Sequence, residues 1–303
     1  MQVVERQGHE VENSQPRHAP GGTGDSSARC ADAGTRSEVR FVLVHLHLFK
    51  NAGSTIDGLL RHNFGPGLRE MHAAGADGVL PASAIHAELA AQPLLKALSS
   101  HHFRYPLHDL PGCRLVDICC LRHPIERICS MYRYYGSIRE DSAAARAARD
   151  CDFAGFLEYM IDQEPFNVLN SQTAFLSTSG DYYFPPHDGH LELARRQLGR
   201  IRLLATVERF ARSLQVGAHF LHPLYPAFDW KYQARNVTAP GADPELVERR
   251  CDELAARFGS IARFLIDSNQ LDVALWRSAN EEIERRAGFM RSRIREVRSA
   301  LAL

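Results

Sequence analysis

The sequence has no excess of either charge. Its 36 Lys and Arg balance 36 Asp and Glu over 303 residues, giving a formal net charge of zero with neutral histidines. A chain that gripped nucleic acid along its length would carry a basic surplus to neutralise phosphates. Nucleic acid is therefore not expected as a partner, and any anion site must be local. Cysteine occurs seven times, at 30, 113, 119, 120, 129, 151 and 251, with no CxxC pair and no even framework, which excludes the usual zinc and disulfide-scaffold patterns. Cys113, Cys119 and Cys120 fall in strongly apolar segments, as reduced thiols do in cytosolic proteins. No stretch approaches the roughly 18 apolar residues that a membrane span needs. The opening "MQVVERQGHEVENSQPRH" has no apolar signal core, and no internal repeat is present. These absences predict a soluble, cytoplasmic protein.

What is present divides at residue 38. Residues 1–38 are rich in Gly, Ser, Arg, Asp and Glu and poor in large apolar side chains, so a disordered tail is expected there. The folded part is expected over 39–303. "VRFVLVHLHLF" (39–49) reads as a buried strand, and "CRLVDICCL" (113–121) as a second strand covered on both faces. "IRLLAT" (201–206) is a third, and Leu98-Ser99-Ser100 could end another. Helical patterns occupy 54–63, 83–98, 124–135, 153–163, 166–176, 188–199 and 208–220, and long helices fill 244–299. Pro124 suits a first helical turn. Strands alternating with helices predict an α/β fold, three-layer α/β/α, with a mostly parallel central sheet.

Two stretches carry chemistry. In "FVLVHLHLFKNAGSTIDGLL" (41–60) an apolar strand meets Lys50, turns through Asn51, Ala52 and Gly53, and opens a helix at Ser54 and Thr55. Backbone N–H groups of residues 51 to 55 at a helix N-terminus make an anion site, with Lys50 as a point charge across it. An ordinary strand–turn–helix with a serine cap fits the same residues. In "CLRHPIERICSMYRYY" (120–135) Arg122 sits at a strand end and Ser130 two turns into the next helix. A guanidinium fork and a hydroxyl suit phosphate oxygens, although solvated arginines beside a core-facing stripe would read similarly.

The pair is more specific than either part. Residues 49–55 resemble the "PKTAGTS" 5′-phosphosulfate loop of sulfotransferases. Leu121, Arg122, Pro124, Arg127, Ser130 and Tyr132 resemble their 3′-phosphate motif "LRxPxxRxxSxY". "HHFRYPLHDL" (101–110) is similar to the "GHFPYGLHEL" segment of bacterial and carbohydrate-type sulfotransferases. "NVLNSQTAFLS" (167–177), "TVERFARSL" (206–214) and "RNVT" (235–238) also sit where that family has related segments, so the likeness runs from roughly 39 to 270. Phe49 stands for the usual proline, Asn51 for the threonine, Ser54-Thr55 inverts Thr-Ser, and His101 stands where glycine is common.

The resemblance implies a P-loop-like sulfotransferase fold over 39–303 and sulfuryl transfer from 3′-phosphoadenosine 5′-phosphosulfate (PAPS) to an acceptor hydroxyl, on a carbohydrate. It implies donor contacts from Lys50, Asn51, Ala52, Gly53, Ser54, Thr55, Arg122 and Ser130. Lys50 would neutralise the leaving phosphate, and His102, or its neighbour His101, would take the acceptor's proton. No metal is expected: His45 and His47 alternate on a strand, and "HDGH" (187–190) spaces two histidines by three, but neither comes with a cysteine or carboxylate set. Two other readings stay open. A P-loop kinase would need a Gly-x-x-x-x-Gly-Lys loop and a magnesium-holding aspartate. A non-catalytic polyanion- or glycan-binding module would need neither Lys50 nor a base. The basic C-terminal helix reads as a solvated or oligomer face.

Overall fold

Apolar runs with β-branched residues build the centre of the molecule, because only a strand covered on both faces tolerates them without alternation. A computed structural model describes residues 39–74, 78–177, 185–232 and 244–301. Five strands, β1 (Arg40–Leu46), β2 (Leu68–Glu70), β3 (Ala97–Ser100), β4 (Cys113–Leu121) and β5 (Leu203–Thr206), form one sheet in the order β2-β3-β1-β4-β5. Every pairing is parallel. Eleven helices are described: α1 (Gly53–Phe64), α2 (Ala82–Ala91), α3 (Pro124–Ser137), α4 (Ala143–Asp150), α5 (Phe153–Gln163), α6 (Pro165–Val168), α7 (Ser171–Ser177), α8 (Asp188–Arg200), α9 (Phe210–Leu221), α10 (Pro244–Asp267) and α11 (Gln270–Leu301). The architecture is the expected α/β sandwich of a parallel sheet between helical layers.

Side-chain alternation along the strands assigns the layers. Leu43, Ile118 and Ala205 face Ile56, Leu59 and Leu60 of α1 and Leu214 and Leu221 of α9. On the opposite face Leu46, Cys119, Leu121 and Leu204 meet Phe175 of α7, Leu198 of α8, and Leu275 and Ile283 of α11. Val42, Val44 and Leu98 meet Ile85 and Leu89 of α2. A further helical cluster joins α3, α4, α5 and α10 through residues such as Ile128, Met131, Phe156 and Leu265.

The helical expectation over 83–98 needs correction. α2 stops at Ala91, two residues before Pro93, and Ala97–Ser100 is strand β3. Proline has no N–H and disfavours helix in the residue before it. The expected helix over 166–176 is two, α6 and α7, separated at Asn170, whose φ of 49° is left-handed. α10 breaks at Gly259 with φ 64°. The expected tail at 1–38 and the "RNVT" segment lie outside the described residues.

Candidate functional site

Strand order makes the crevice. From β1 the chain passes to the edge strand β2 and back inward to β3, then crosses to β4 and β5 on the other side, and such a switch point leaves an opening at the carboxyl ends of the strands. Leu46 at the end of β1 pairs with Ser100 at the end of β3 and with Cys119 near the end of β4. The loops carrying Lys50, His101 and Arg122 therefore leave one edge of the sheet together.

The first loop is strained. Lys50 (φ 65°) and Ala52 (φ 60°) are both left-handed without being glycine, a conformation that costs roughly 1–3 kcal/mol each and concentrates at ligand sites. Asn51 N–H turns back to the Leu48 carbonyl at 3.2 Å, and Thr55 and Ile56 N–H both go to the Ala52 carbonyl. The N-cap of α1 is Ala52 rather than Ser54, and a methyl group cannot cap. Among the described residues, the N–H groups of Ala52, Gly53 and Ser54 have no acceptor. Three donors at the positive end of a helix dipole remain for an anion.

The second loop is fastened to the first. An Arg122 Nη donates to the Lys50 carbonyl at 3.2 Å, and Arg127 Nε donates to the Phe49 carbonyl at 3.0 Å. Arg127 continues to the Asn167 carbonyl and Ser171 hydroxyl, tying α3 to α6 and α7. Gln172 is the hub. Its Oε1 accepts from Asn51 Nδ2 at 2.8 Å and Arg122 N–H at 2.9 Å, while its Nε2 donates to the Arg122 carbonyl at 2.8 Å. The buried Asp272 caps α7 by accepting from Gln172 and Thr173 N–H, so α11 holds this hub in place. Asn51 also donates to the Cys120 carbonyl at 3.0 Å and is 1% exposed. Its side chain is thus a structural tie beneath the loop, which corrects its expected place among the donor contacts.

The charges fit the geometry. The Lys50 ammonium is held below its ordinary pKa first by burial, then by the charges of Arg122 and Arg133. It lies 4.2 Å from the Tyr134 ring centre. Arg122 is pushed down by burial as well, with Glu208 and Glu126 opposing. Glu126 approaches Arg122 only to 3.8 Å and is shared with Arg250 at 2.9 Å. Glu208 is spent on His123 N–H and the Trp276 indole. Arg122 Nε is buried with no partner among the described residues. The Ser130 hydroxyl, in a residue 7% exposed, likewise makes no hydrogen bond with them. Three cations, an unpartnered guanidinium nitrogen and an uncommitted hydroxyl are suited to a polyanionic ligand.

Four histidines cluster near this edge. Asp57 of α1 takes His45 Nδ1 on one oxygen at 2.7 Å and His47 Nδ1 on the other at 2.8 Å, with the Ser99 hydroxyl at 2.6 Å. Burial alone would raise the Asp57 carboxyl, but the bonds from the two imidazoles outweigh it and hold it well below the usual range. Burial holds His45 low. The rings of His45 and His47 stack at 5.0 Å with a 20° interplanar angle. The ligand atoms of His45, His47 and Asp57 lie within 4.8 Å of one another, a spacing that could also hold a metal ion; Asp57 is the carboxylate that the sequence reading did not give this histidine pair. The His101 ring packs on His47 at 3.8 Å. Burial, then the His47 charge, pushes its pKa down to about 3. His102 points elsewhere: its Nδ1 bonds the Gly78 carbonyl at 2.8 Å. In "HDGH" the imidazoles of His187 and His190 accept N–H bonds at the start of α8 and act as caps.

No protein-family model matches the chain. An uncharacterized protein of Archaeoglobus fulgidus is 28% identical to it over 249 residues, covering 78% of this chain and 95% of that one. That relative's name assigns no activity.

Of the residues expected from sequence, Lys50, Ala52, Gly53, Ser54 and Arg122 meet at this edge, Thr55 follows in the first turn of α1, and Ser130 lies buried in α3. Asp57 and Gln172 were not anticipated. Two polar side chains on one face of an apolar strand, His45 and His47, were the available signal for Asp57, because buried polar groups require partners. Among the described residues, no helix is long and apolar enough to cross a membrane.

Proposed function

We propose that the chain is a sulfotransferase that takes a sulfuryl group from PAPS and delivers it to an acceptor hydroxyl, on a carbohydrate. One observation carries the reading: the loop with three unpartnered N–H groups and the loop with the part-partnered Arg122 are bonded to each other at a single sheet edge. Such a pairing suits a ligand anionic at two places, as a 3′,5′-substituted nucleotide is.

The donor supplies the sulfuryl group; the protein supplies position and charge. The N–H groups of Ala52, Gly53 and Ser54 would hold the 5′ end. Arg122 and Ser130 would hold the 3′-phosphate and so distinguish this nucleotide from ATP. Lys50 would neutralise charge on the leaving phosphate oxygen. The resemblance makes His102 the proton acceptor, although its ring is turned from the loop edge to the Gly78 carbonyl. The bond to Gly78 fixes His102 with its proton on Nδ1 and leaves Nε2 to accept. His101, at about 3, binds a proton too weakly to serve near neutral pH. A kinase reading finds less support, since Asp57, Glu126 and Glu208, the carboxylates attached to these loops, are each committed to protein donors.

The test is a thermal shift with 3′,5′-ADP against ATP–magnesium, followed by labelled PAPS transfer to a glycan panel. A rise in melting temperature specific to 3′,5′-ADP, lost in Arg122→Ala and reduced in Ser130→Ala, is the expected result. Equal stabilisation by ATP–magnesium would sink the 3′-phosphate assignment.

A further inference from the structure

Three side chains from two strands converge on Asp57 of α1. His45 and His47 share a face of β1, because alternate residues of a strand do, and each turns Nδ1 to its own oxygen of Asp57, at 2.7 and 2.8 Å. Ser99 of β3, in register with His45, donates its hydroxyl to Asp57 Oδ1 at 2.6 Å. His45 and Asp57 are buried, and the His101 ring covers His47. The two imidazole nitrogens and the carboxylate lie within 4.8 Å of one another. The proposed reaction gives this group no task.

We propose that His45 Nδ1, His47 Nδ1 and the Asp57 carboxylate bind one zinc ion at the base of the Lys50 loop. The inference goes beyond the proposed function and does not rest on it. Two imidazoles and one carboxylate are a donor set that zinc uses with its fourth position open. The same set is wrong for magnesium, which keeps to oxygen ligands and water, so a kinase reading gains nothing from it. Ligand atoms of a tetrahedral zinc lie about 3.3 Å apart, given bonds of about 2.0–2.2 Å. Each imidazole therefore backs off Asp57 by about half an ångström as the ion enters, and no pair has to close from more than 4.8 Å. Each ring then ligates as neutral imidazole with its proton on Nε2. No covalent bond to carbon changes, and acid competes with the metal for both Nδ1 atoms. Positive charge at His47, from a proton or from the ion, acts on His101 in one direction. Ser99 orients Asp57, as outer partners of ligating carboxylates do. The Lys50 loop leaves β1 directly after His47 and enters α1 four residues before Asp57. One ion would thus close that loop at its base.

The full chain, dialysed against a chelator, is titrated with zinc chloride and in parallel with cobalt chloride. One zinc retained per chain on gel filtration is expected, with a rise in melting temperature. The cobalt form should show the strong visible bands of a low coordination number and no thiolate charge-transfer band. Asp57→Asn should weaken zinc binding at least about a hundredfold and Ser99→Ala about tenfold, because even an outer partner of a ligand is worth roughly 10–100-fold. His187→Asn, at the exposed pair His187 and His190, should change nothing. A chain that retains no zinc and gains no stability from it overturns the proposal and leaves a hydrogen-bonded group alone. Zinc that survives Asp57→Asn but is lost in His187→Asn overturns it too, as does a cobalt–thiolate band. Should Asp57→Asn fail to fold, X-ray absorption of the zinc-loaded wild type decides. Two imidazoles with oxygen ligands are expected; a sulfur ligand, or fewer than two imidazoles, overturns the proposal. No arm uses a nucleotide, so failure here and failure of the donor reading are read separately.

Discussion

Asn51 and Gln172 are 121 positions apart in the chain, yet the amide of one donates to the amide oxygen of the other at 2.8 Å, and that oxygen also takes the Arg122 N–H. One glutamine thus ties both loops together. Gln172→Leu should lower stability by about 1–3 kcal/mol, because it leaves buried donors on Asn51 and Arg122 unpaired. It should also abolish the response to 3′,5′-ADP although Gln172 itself is not a proposed ligand. Urea unfolding and thermal shift check the two parts. A variant that loses stability but keeps its nucleotide response would make Gln172 a packing residue alone.

Gly53→Ala tests the contact between the loop and His47. A methyl group 1.9 Å from Nε2 cannot coexist with the present ring position. Either the imidazole leaves Asp57 or the first turn of α1 moves, and overpacking of this kind costs about 1–3 kcal/mol. Combining Gly53→Ala with His47→Ala should recover much of the stability lost by Gly53→Ala, whereas the nucleotide response should stay weak. Additive losses in the double variant would show that the two residues do not meet.

The histidines make a pH prediction whose sign is fixed. His101 has a folded-state pKa of about 3, depressed by burial from 6.5. As pH falls below 6.5 the unfolded chain binds this proton and the folded chain does not, so stability is lost down to about pH 3. Asp117 works in the opposite sense. Burial raises it to about 6, so its folded form binds a proton between pH 6 and 3.8 that the unfolded form does not. A bare stability curve therefore mixes the two. The difference in melting temperature between wild type and His101→Phe separates them: the wild type should lose ground to the variant as pH falls from 6.5. A difference that stays constant with pH would mean that folding does not shift the His101 pKa.

How much of this was legible in the sequence depended on the range of the interaction. The strands at β1, β4 and β5 announce themselves through continuous apolar runs, and α3 through Pro124 and its apolar stripe. β3 was partly hidden because Ala97–Ser100 extends an apparently helical pattern, and Pro93, which should have ended that pattern, was overlooked. β2 and α4 were missed; the three residues of β2 are too few to show a period. The loops suggested an anion site in the sequence because their donors are local there. The division of labour inside them was not. Asn51 looked like a ligand contact until Gln172 and Cys120 supplied partners from other elements. Asp57 looked like one more polar residue of α1 until strand β1 brought two imidazoles against it.

Lys50 separates backbone geometry from charge. Its φ of 65° is one that glycine adopts freely and lysine does not. Its ammonium, half-buried against Tyr134 and repelled by Arg122 and Arg133, lies where an incoming anion would relieve that repulsion. Lys50→Gly and Lys50→Ala both remove the charge, but only the first relaxes the turn. Lys50→Gly should therefore be more stable than Lys50→Ala by about 1 kcal/mol in urea unfolding. In both, sulfuryl transfer should collapse while 3′,5′-ADP affinity falls only modestly, because the ammonium is needed most when the leaving phosphate oxygen gains charge. Each variant is assayed for labelled PAPS transfer to whichever acceptor the wild type uses, with nucleotide affinity measured alongside. Equal losses in transfer and affinity would make Lys50 an ordinary anchor of the ground state. Lys50→Gly no more stable than Lys50→Ala would mean that the left-handed turn is not a source of strain.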